Sequence, residues 1–139
     1  MIYVLMQFIL LILLAWPNQH WQLSIVGGTF ILSGGVIALF AIMANPPGNF
    51  NVRPIPKQTG KLITTGIYQY IRHPMYCSLF FGGLGLVFCQ FTLWKLIAWI
   101  LLIITLALKA RFEERALVER YSDYKDYQKT TKAFIPLLW

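Results

Sequence analysis

No charged side chain precedes Arg53, and this uncharged stretch constrains the fold more than any other feature of the chain. All five acidic residues lie between Glu113 and Asp126, so residues 1–112 carry no Asp or Glu. Only 12% of the 139 residues are charged and 58% are hydrophobic, whereas soluble domains have about 25% charged residues. Such a chain cannot cover a wetted surface with charge. We therefore expect an integral membrane protein, a helical bundle of the all-α class in a single domain over residues 1–139.

Charge placement and residue spacing exclude several other classes of protein. The net charge is +7, but the Lys and Arg residues flank apolar runs and form no stripe for a nucleic acid, so no nucleic-acid partner is expected. No strand, Gly-rich turn and helix follow one another, which excludes a small soluble dinucleotide-binding enzyme. Cys77 and Cys89 would lie about 18 Å apart on one helix and are expected to stay unpaired. His20 and His73 lack metal-ligand spacing, so no metal site is expected.

Four uncharged stretches, the last of them residues 96–108, predict about four transmembrane helices, at residues 2–16, 23–44, 74–92 and 93–111. The first is short and resembles the apolar part of a signal peptide, but it lacks a basic start. Lys95, at the end of a span, is expected to extend its ammonium group to the membrane interface. Glycines in the second and third stretches suit close contact between helices. They are Gly27, Gly28, Gly34, Gly35, Gly82, Gly83 and Gly85.

The loop charges predict the orientation of these helices. The connection 45–73 and the tail 112–139 are rich in Lys and Arg, whereas the connection 17–22 has neither. By the positive-inside rule the long loop and both termini are cytoplasmic, in a multi-pass protein of the cell inner membrane. Residues 45–66 hold four prolines and three glycines, which predicts a loop without regular structure. This loop is either a linker or a cover over a site at the membrane surface.

The C-terminal tail changes to a pattern of apolar residues interleaved with charges. Leu117, Tyr121 and Tyr124 share one helical face, which predicts an amphipathic helix on the membrane surface. Residues 134–139 are apolar again. They either dock onto the bundle or enter the interface.

The third and fourth spans predict an antiparallel hairpin with a turn near residues 91–93. Both legs return to the same depth after about 17 residues. Arg72 and His73 then lie level with Glu113 and Glu114 at the cytoplasmic edge. This arrangement brings two groups able to carry positive charge and two carboxylates to one height.

The start of the third span suggests a binding site at the same edge. Pro74 fits the first position of a helix, so Arg72 and His73 would lie where free backbone N–H groups favour an anion. Two simpler readings stay open: the basic and aromatic residues are interfacial anchors, or the glutamates pair with Arg111 and Arg115. Nearby tyrosines can stack on a heterocycle or a cation. They are Tyr68, Tyr70 and Tyr76.

Two separated motifs stand out. The first is Arg-His-Pro-x-Tyr at 72–76, preceded by Thr-Gly-Ile-Tyr-Gln-Tyr-Ile, and the second is Glu-Glu at 113–114 after a hydrophobic hairpin. Both resemble motifs of the isoprenylcysteine carboxyl methyltransferase family, which is grouped with the phospholipid N-methyltransferases. Tyr-x-x-Tyr-x-x-Tyr at 121–127 and Phe-Ile-Pro at 134–136 are similar to that family's C-terminal pattern. The resemblance covers about residues 50–136, and it departs at Ser78, where relatives often have Gly.

The resemblance implies an S-adenosylmethionine-dependent membrane methyltransferase. Its cofactor pocket would lie at the cytoplasmic edge, with a lipid-side entrance for a lipophilic or amphiphilic acceptor that is isoprenylcysteine carboxylate-like or phospholipid-like. A carboxylate acceptor needs no base; for an amine or thiol, His73 or Glu114 is the first candidate for a catalytic base. The expected cofactor-binding residues, five from the motifs and one edge tyrosine, are Tyr68, Arg72, His73, Tyr76, Glu113 and Glu114.

Two other functions stay open from the sequence. Membrane sterol and steroid reductases have a similar Arg-His-Pro region and use NADPH, although a 2′-phosphate would require more basic residues than Arg72. The second alternative is a non-catalytic membrane protein whose basic loop binds anionic lipids. The identity of the acceptor, the choice among O-, N- and S-methylation, and the oligomeric state are not determined by the sequence.

Overall fold

The computed structural model describes residues 1–18, 22, 24–46, 49 and 60–134. Over these ranges the chain forms five α-helices, one short 3₁₀ helix and no β-strand, which confirms the all-α class. The predictions for His20, for most of the loop and for the apolar residues 135–139 lie outside the described ranges. The α-helices are α1 (Ile2–Ala15), α2 (Ile25–Ala44), α3 (Pro74–Cys89), α4 (Leu93–Arg120) and α5 (Tyr124–Thr130), and the 3₁₀ helix is Gly66–Gln69.

Two of the described helices, rather than the four predicted, are long and apolar enough to cross a membrane. These are α2, with 20 residues, and α4, with 28. With 14 and 16 residues, α1 and α3 fall short of the roughly 20 that a perpendicular span needs. α1 ends at Ala15 because Pro17 holds the preceding Trp16 in an extended conformation. Large apolar side chains such as Ile25 and Met43 are exposed along α2.

The core lies where α1 and α3 pack against α4. Leu10 and Leu14 of α1 meet Leu102 and Leu106 of α4, and all four are buried. Val87 of α3 joins the same cluster. The outer faces of α1 and α4 keep apolar side chains exposed, as expected for helices that face lipid.

α2 packs on α3 through backbone contact, which requires glycine at particular positions. A Cβ atom on Gly34 would lie 2.7 Å from the Ser78 carbonyl oxygen, and one on Gly85 would lie 2.6 Å from the Gly27 oxygen. The prediction of close packing is thus confirmed for these glycines and for Gly83, which lies against side chains of α1 and α4. It is wrong for Gly28 and Gly35, where a Cβ would meet no atom within 4 Å. A Cβ on Gly82 would also point into open space, but the Gly82 backbone itself lies against Gly34, with its N atom 2.9 Å from the position of a Gly34 Cβ.

The side chain of Lys95 is fully buried within the protein instead of extending into solvent. Lys95 Nζ donates to the Leu14 and Trp16 carbonyl oxygens at 3.0 and 2.8 Å, and to Gln90 Oε1 at 2.6 Å. The C-terminal carbonyls of α1 lack partners within the helix, so a cation there is well placed. α1 is therefore attached to the start of α4 by a buried charge.

The predicted amphipathic helix is broken into two pieces. α4 runs through Leu117 but ends at Arg120, and α5 begins only at Tyr124. Tyr121 takes an extended conformation, and its hydroxyl donates to the Gly60 carbonyl oxygen at 2.6 Å. The break turns residues 121–134, which form the tail of the folded chain after α4, back toward the start of α3.

Candidate active site

A cleft of about 170 Å³ opens where the 3₁₀ helix, the start of α3, the end of α4 and α5 meet. It lies beyond the apolar part of α4, residues 93–111. Five of the six predicted cofactor-binding residues line it; Glu114 is the exception. Its principal polar and aromatic lining residues are Asn45, Asn49, Lys61, Tyr68, Arg72, His73, Tyr76, Glu113, Tyr121, Tyr124 and Tyr127.

Arg72, His73 and Glu114 form one hydrogen-bonded cluster behind the cleft. Glu114 Oε1 accepts from Arg72 Nε at 2.7 Å and lies 3.1 Å from His73 Nε2. Its other oxygen accepts from the Gln128 amide at 3.0 Å. Burial raises the pKa of Glu114, but the hydrogen bonds from His73 and Arg72 outweigh it and lower the pKa to about 2. Glu114 is therefore a carboxylate with both oxygens occupied.

The C-terminal tail accepts hydrogen bonds from backbone N–H groups just before α3, at the position where the sequence predicted an anion. The backbone N–H groups of Arg72 and His73 donate to the Lys132 and Ala133 carbonyl oxygens, at 2.8 and 3.0 Å. The Arg72 guanidinium donates through Nη1 to the carbonyl oxygens of Gln128 and Thr131. The N–H groups of Arg72 and His73 are therefore not free to bind an anion. Arg72 holds the tail and Glu114 in place.

Glu113, one residue earlier on α4, faces the cleft. Its Oε2 accepts from the Tyr76 hydroxyl at 2.7 Å and lies 3.9 Å from His73 Nδ1. The rings of His73 and Tyr76 stack nearly parallel, with centroids 5.2 Å apart. Phe134 of the tail packs against both rings at about 6 Å. His73, Tyr76 and Glu113 thus form one wall of the cleft.

Tyrosines form much of the remaining lining. Burial raises the pKa values of Tyr68, Tyr124 and Tyr127, so all three remain neutral phenols. Tyr127 donates its hydroxyl to the Tyr68 carbonyl oxygen, which fixes α5 to the 3₁₀ helix. Tyr70 is 62% exposed and does not line the cleft.

Sequence reasoning missed the contribution of the loop after α2. Asn49 Nδ2 donates to Asn45 Oδ1 at 2.9 Å, and Asn49 Oδ1 accepts from the Lys61 backbone N–H at 2.9 Å. These contacts bring the two described parts of the loop together at the mouth of the cleft. Two asparagines after a predicted span are a weak signal for a site. The repeated tyrosines at 121–127 are a stronger one, because the family resemblance includes them.

Two features of the cleft suit a positively charged group, although the exposed Lys61 also lines it. Glu113 places a carboxylate in its wall, and tyrosine faces attract cations. Arg72, which would neutralise Glu113 or bind an anion, is already engaged by Glu114 and the tail. The structure is thus a helical bundle with apolar exposed faces and a polar cleft at one end.

A family model describing phospholipid methyltransferases matches residues 21–124, about three quarters of the chain. The chain belongs to this phospholipid methyltransferase family. Its membership confirms the resemblance drawn from the two motifs, and together with the apolar helices it indicates association with membranes.

Two curated relatives are similar over shorter stretches. The nickel-cobalt-cadmium resistance protein NccN of Alcaligenes xylosoxydans xylosoxydans is 33% identical over 84 residues, 59% of this chain and 39% of that protein. Protein-S-isoprenylcysteine O-methyltransferase B of Arabidopsis thaliana is 32% identical over 69 residues, 49% of this chain and 35% of that protein. The chain thus spans less than two fifths of the length of each relative that it matches.

Proposed function

We propose that the protein is an S-adenosylmethionine-dependent methyltransferase that modifies a lipophilic or amphiphilic acceptor at the cytoplasmic membrane face. The observation that carries the proposal is the single cleft wall formed by His73, Tyr76 and Glu113. Family membership supports methyl transfer. The Arabidopsis relative matches only 49% of the chain, so the acceptor is proposed from the surroundings of the cleft.

The lining of the cleft fits the proposed methyl donor. A sulfonium compound with an amino group is cationic, and Glu113 supplies a carboxylate that is only partly engaged. The faces of Tyr68 and Tyr76 suit the sulfonium or the adenine ring. When bound, the donor supplies an already activated methyl group. The protein then has to align the acceptor and exclude water.

His73 is the residue best placed to take a proton from an acceptor that needs deprotonation. Glu114 is ionised and can only accept, so the His73 Nε2 atom that faces it carries the proton. This leaves Nδ1, on the Glu113 side, as the nitrogen able to accept a proton. Glu114 then orients the imidazole. We therefore propose a catalytic role for His73 and an indirect one for Glu114.

Calorimetric titration of the detergent-purified protein with S-adenosylhomocysteine tests the proposal. We expect micromolar binding by the wild type and a loss of at least about tenfold in Glu113→Gln, since charged hydrogen bonds contribute about 1.5–3 kcal/mol. Glu119→Gln, an exposed carboxylate on the same helix, is the matched control and should bind like the wild type. Absence of binding by folded wild-type protein would refute the proposal. Transfer of a labelled methyl group to a membrane lipid extract would then identify the acceptor class.

We further propose a multi-pass topology with both termini in the cytoplasm. The charge of the loop and tail supports it, and so does the position of the cleft at the polar end of α4. The shorter α1 and α3 can span only with local thinning of the bilayer. A fluorescent reporter that folds only in the cytoplasm should give signal when it is fused to the C-terminus. Signal only from an exported reporter would overturn the orientation.

A further inference from the structure

A second buried lysine lies directly behind the cleft. Lys109 of α4 is 2% exposed, and its Nζ donates to Gln7 Oε1 of α1 at 2.8 Å. Gln7 is itself buried. A buried ammonium group costs several kcal/mol to desolvate, and an ionisable residue within a membrane segment is by default a candidate for a functional site. Its hydrogen-bond partner here is a neutral amide, and the compensating negative charge comes from the Glu113 carboxylate.

Lys109 has a second contact that connects it to the cleft. Its Nζ lies over the ring of Tyr76, 5.0 Å from the centroid. The hydroxyl of the same tyrosine donates to Glu113, which follows Lys109 by one helical turn. Tyr76 is therefore held by a cation on its ring and by a carboxylate at its hydroxyl, both from α4.

We infer that Lys109, anchored by Gln7 of α1, is a positioning residue that fixes Tyr76 and its hydrogen bond to Glu113 in the wall of the cleft. The effect of this positioning on ligand binding and catalysis rests on the proposed function. α1 thus contributes to the site although none of its residues lines the cleft. A desolvated cation on an aromatic face is a strong contact, and it leaves the hydroxyl of Tyr76 directed at Glu113.

Fluorine NMR of protein labelled with 3-fluorotyrosine tests the positioning without any ligand. The Tyr76 resonance is identified by its loss in Tyr76→Phe. We expect it to shift and broaden in Lys109→Met and to return toward the wild-type position in Lys109→Arg, which keeps a cation on the ring. Lys95→Met, which removes the other buried lysine of α4 far from the cleft, should leave this resonance unchanged. If Lys109→Met does not fold, Gln7→Leu serves as the second variant and should move the same resonance.

Calorimetry with S-adenosylhomocysteine tests the consequence for binding. We expect affinity to fall about tenfold in Lys109→Met, as for loss of a desolvated cation–π contact, and to lie within about threefold of wild type in Lys109→Arg. An unmoved Tyr76 resonance with unchanged affinity would overturn the inference. A moved resonance in a wild-type protein that does not bind the ligand would refute the proposed function and leave the positioning role intact.

Discussion

The Arg72 guanidinium and the Glu114 carboxylate form an ion pair, with Nε and Oε1 2.7 Å apart, between the start of α3 and the last turns of α4. The same guanidinium binds backbone carbonyls of Gln128 and Thr131. One side chain therefore joins α3, α4 and the tail. This explains how a short bundle keeps a defined cleft at its polar end.

Removing the guanidinium should release the tail. Arg72→Met leaves Glu114 largely buried without its main partner, so the free energy of unfolding should fall by about 3 kcal/mol. Lys129→Met is the control, because its ion pair with Asp126 is exposed and should contribute little. Thermal unfolding in detergent and limited proteolysis of the tail measure both variants. Equal stability of the two variants would contradict a role for Arg72 in holding the tail.

Stability should depend on pH through Glu114. Its pKa in the folded state, about 2, lies below the ordinary value of 4.5. The contribution of the carboxylate is therefore complete above about pH 5 and is lost as the pH falls from about 4.5 toward 2. Glu114→Gln should show a smaller decrease in Tm between pH 5.5 and pH 3 than the wild type. Glu119→Gln should keep the full decrease, and a wild-type-like decrease in Glu114→Gln would assign the effect to other groups.

The hydroxyl of Tyr76 should contribute to donor binding separately from its ring. Tyr76→Phe keeps the ring stacked on His73 but removes the hydroxyl that donates a hydrogen bond to Glu113 at 2.7 Å. We expect binding of S-adenosylhomocysteine to weaken about tenfold, because Glu113 loses the hydrogen bond that holds its carboxylate in the cleft wall. Tyr70→Phe changes an exposed tyrosine outside the cleft and is the control. Equal affinities of the two variants would show that the Tyr76 hydroxyl does not contribute to binding.

Two adjacent glycines of α2 should respond in opposite ways to alanine. Gly34→Ala places a Cβ against the Ser78 backbone of α3 at 2.7 Å, which should destabilise the protein by about 1–3 kcal/mol through overpacking. Gly35→Ala adds a Cβ in open space and should be neutral or stabilising by up to about 1 kcal/mol through helix propensity. Thermal unfolding in detergent measures both. Similar losses in both variants would show that α2 does not pack on α3 through this face.

Much of the candidate site could be predicted from local rules. Counting residues along a helical hairpin places Arg72 and His73 level with Glu113 and Glu114, because the rise per residue is constant. The roles of these residues could not be predicted by counting along the helices. Glu114 faces the tail and Glu113 faces the cleft, although they are neighbours in sequence, since successive helical residues point about 100° apart and only the packed neighbours decide which direction is the cleft.

The sequence by itself determined the class of the protein. Its uncharged residues 1–52 and its two charged motifs require apolar helices with a polar cluster at one end, because charge placement and helical periodicity are local properties. The tertiary structure alone decided which groups are partners. It buried Lys95 and Lys109, left Gly35 open while Gly34 touches α3, and ended α4 at Arg120 so that the tail takes the N–H groups before α3. Each of these outcomes depends on what another segment places nearby, since a buried charge or backbone group is stable only where the fold supplies its partner.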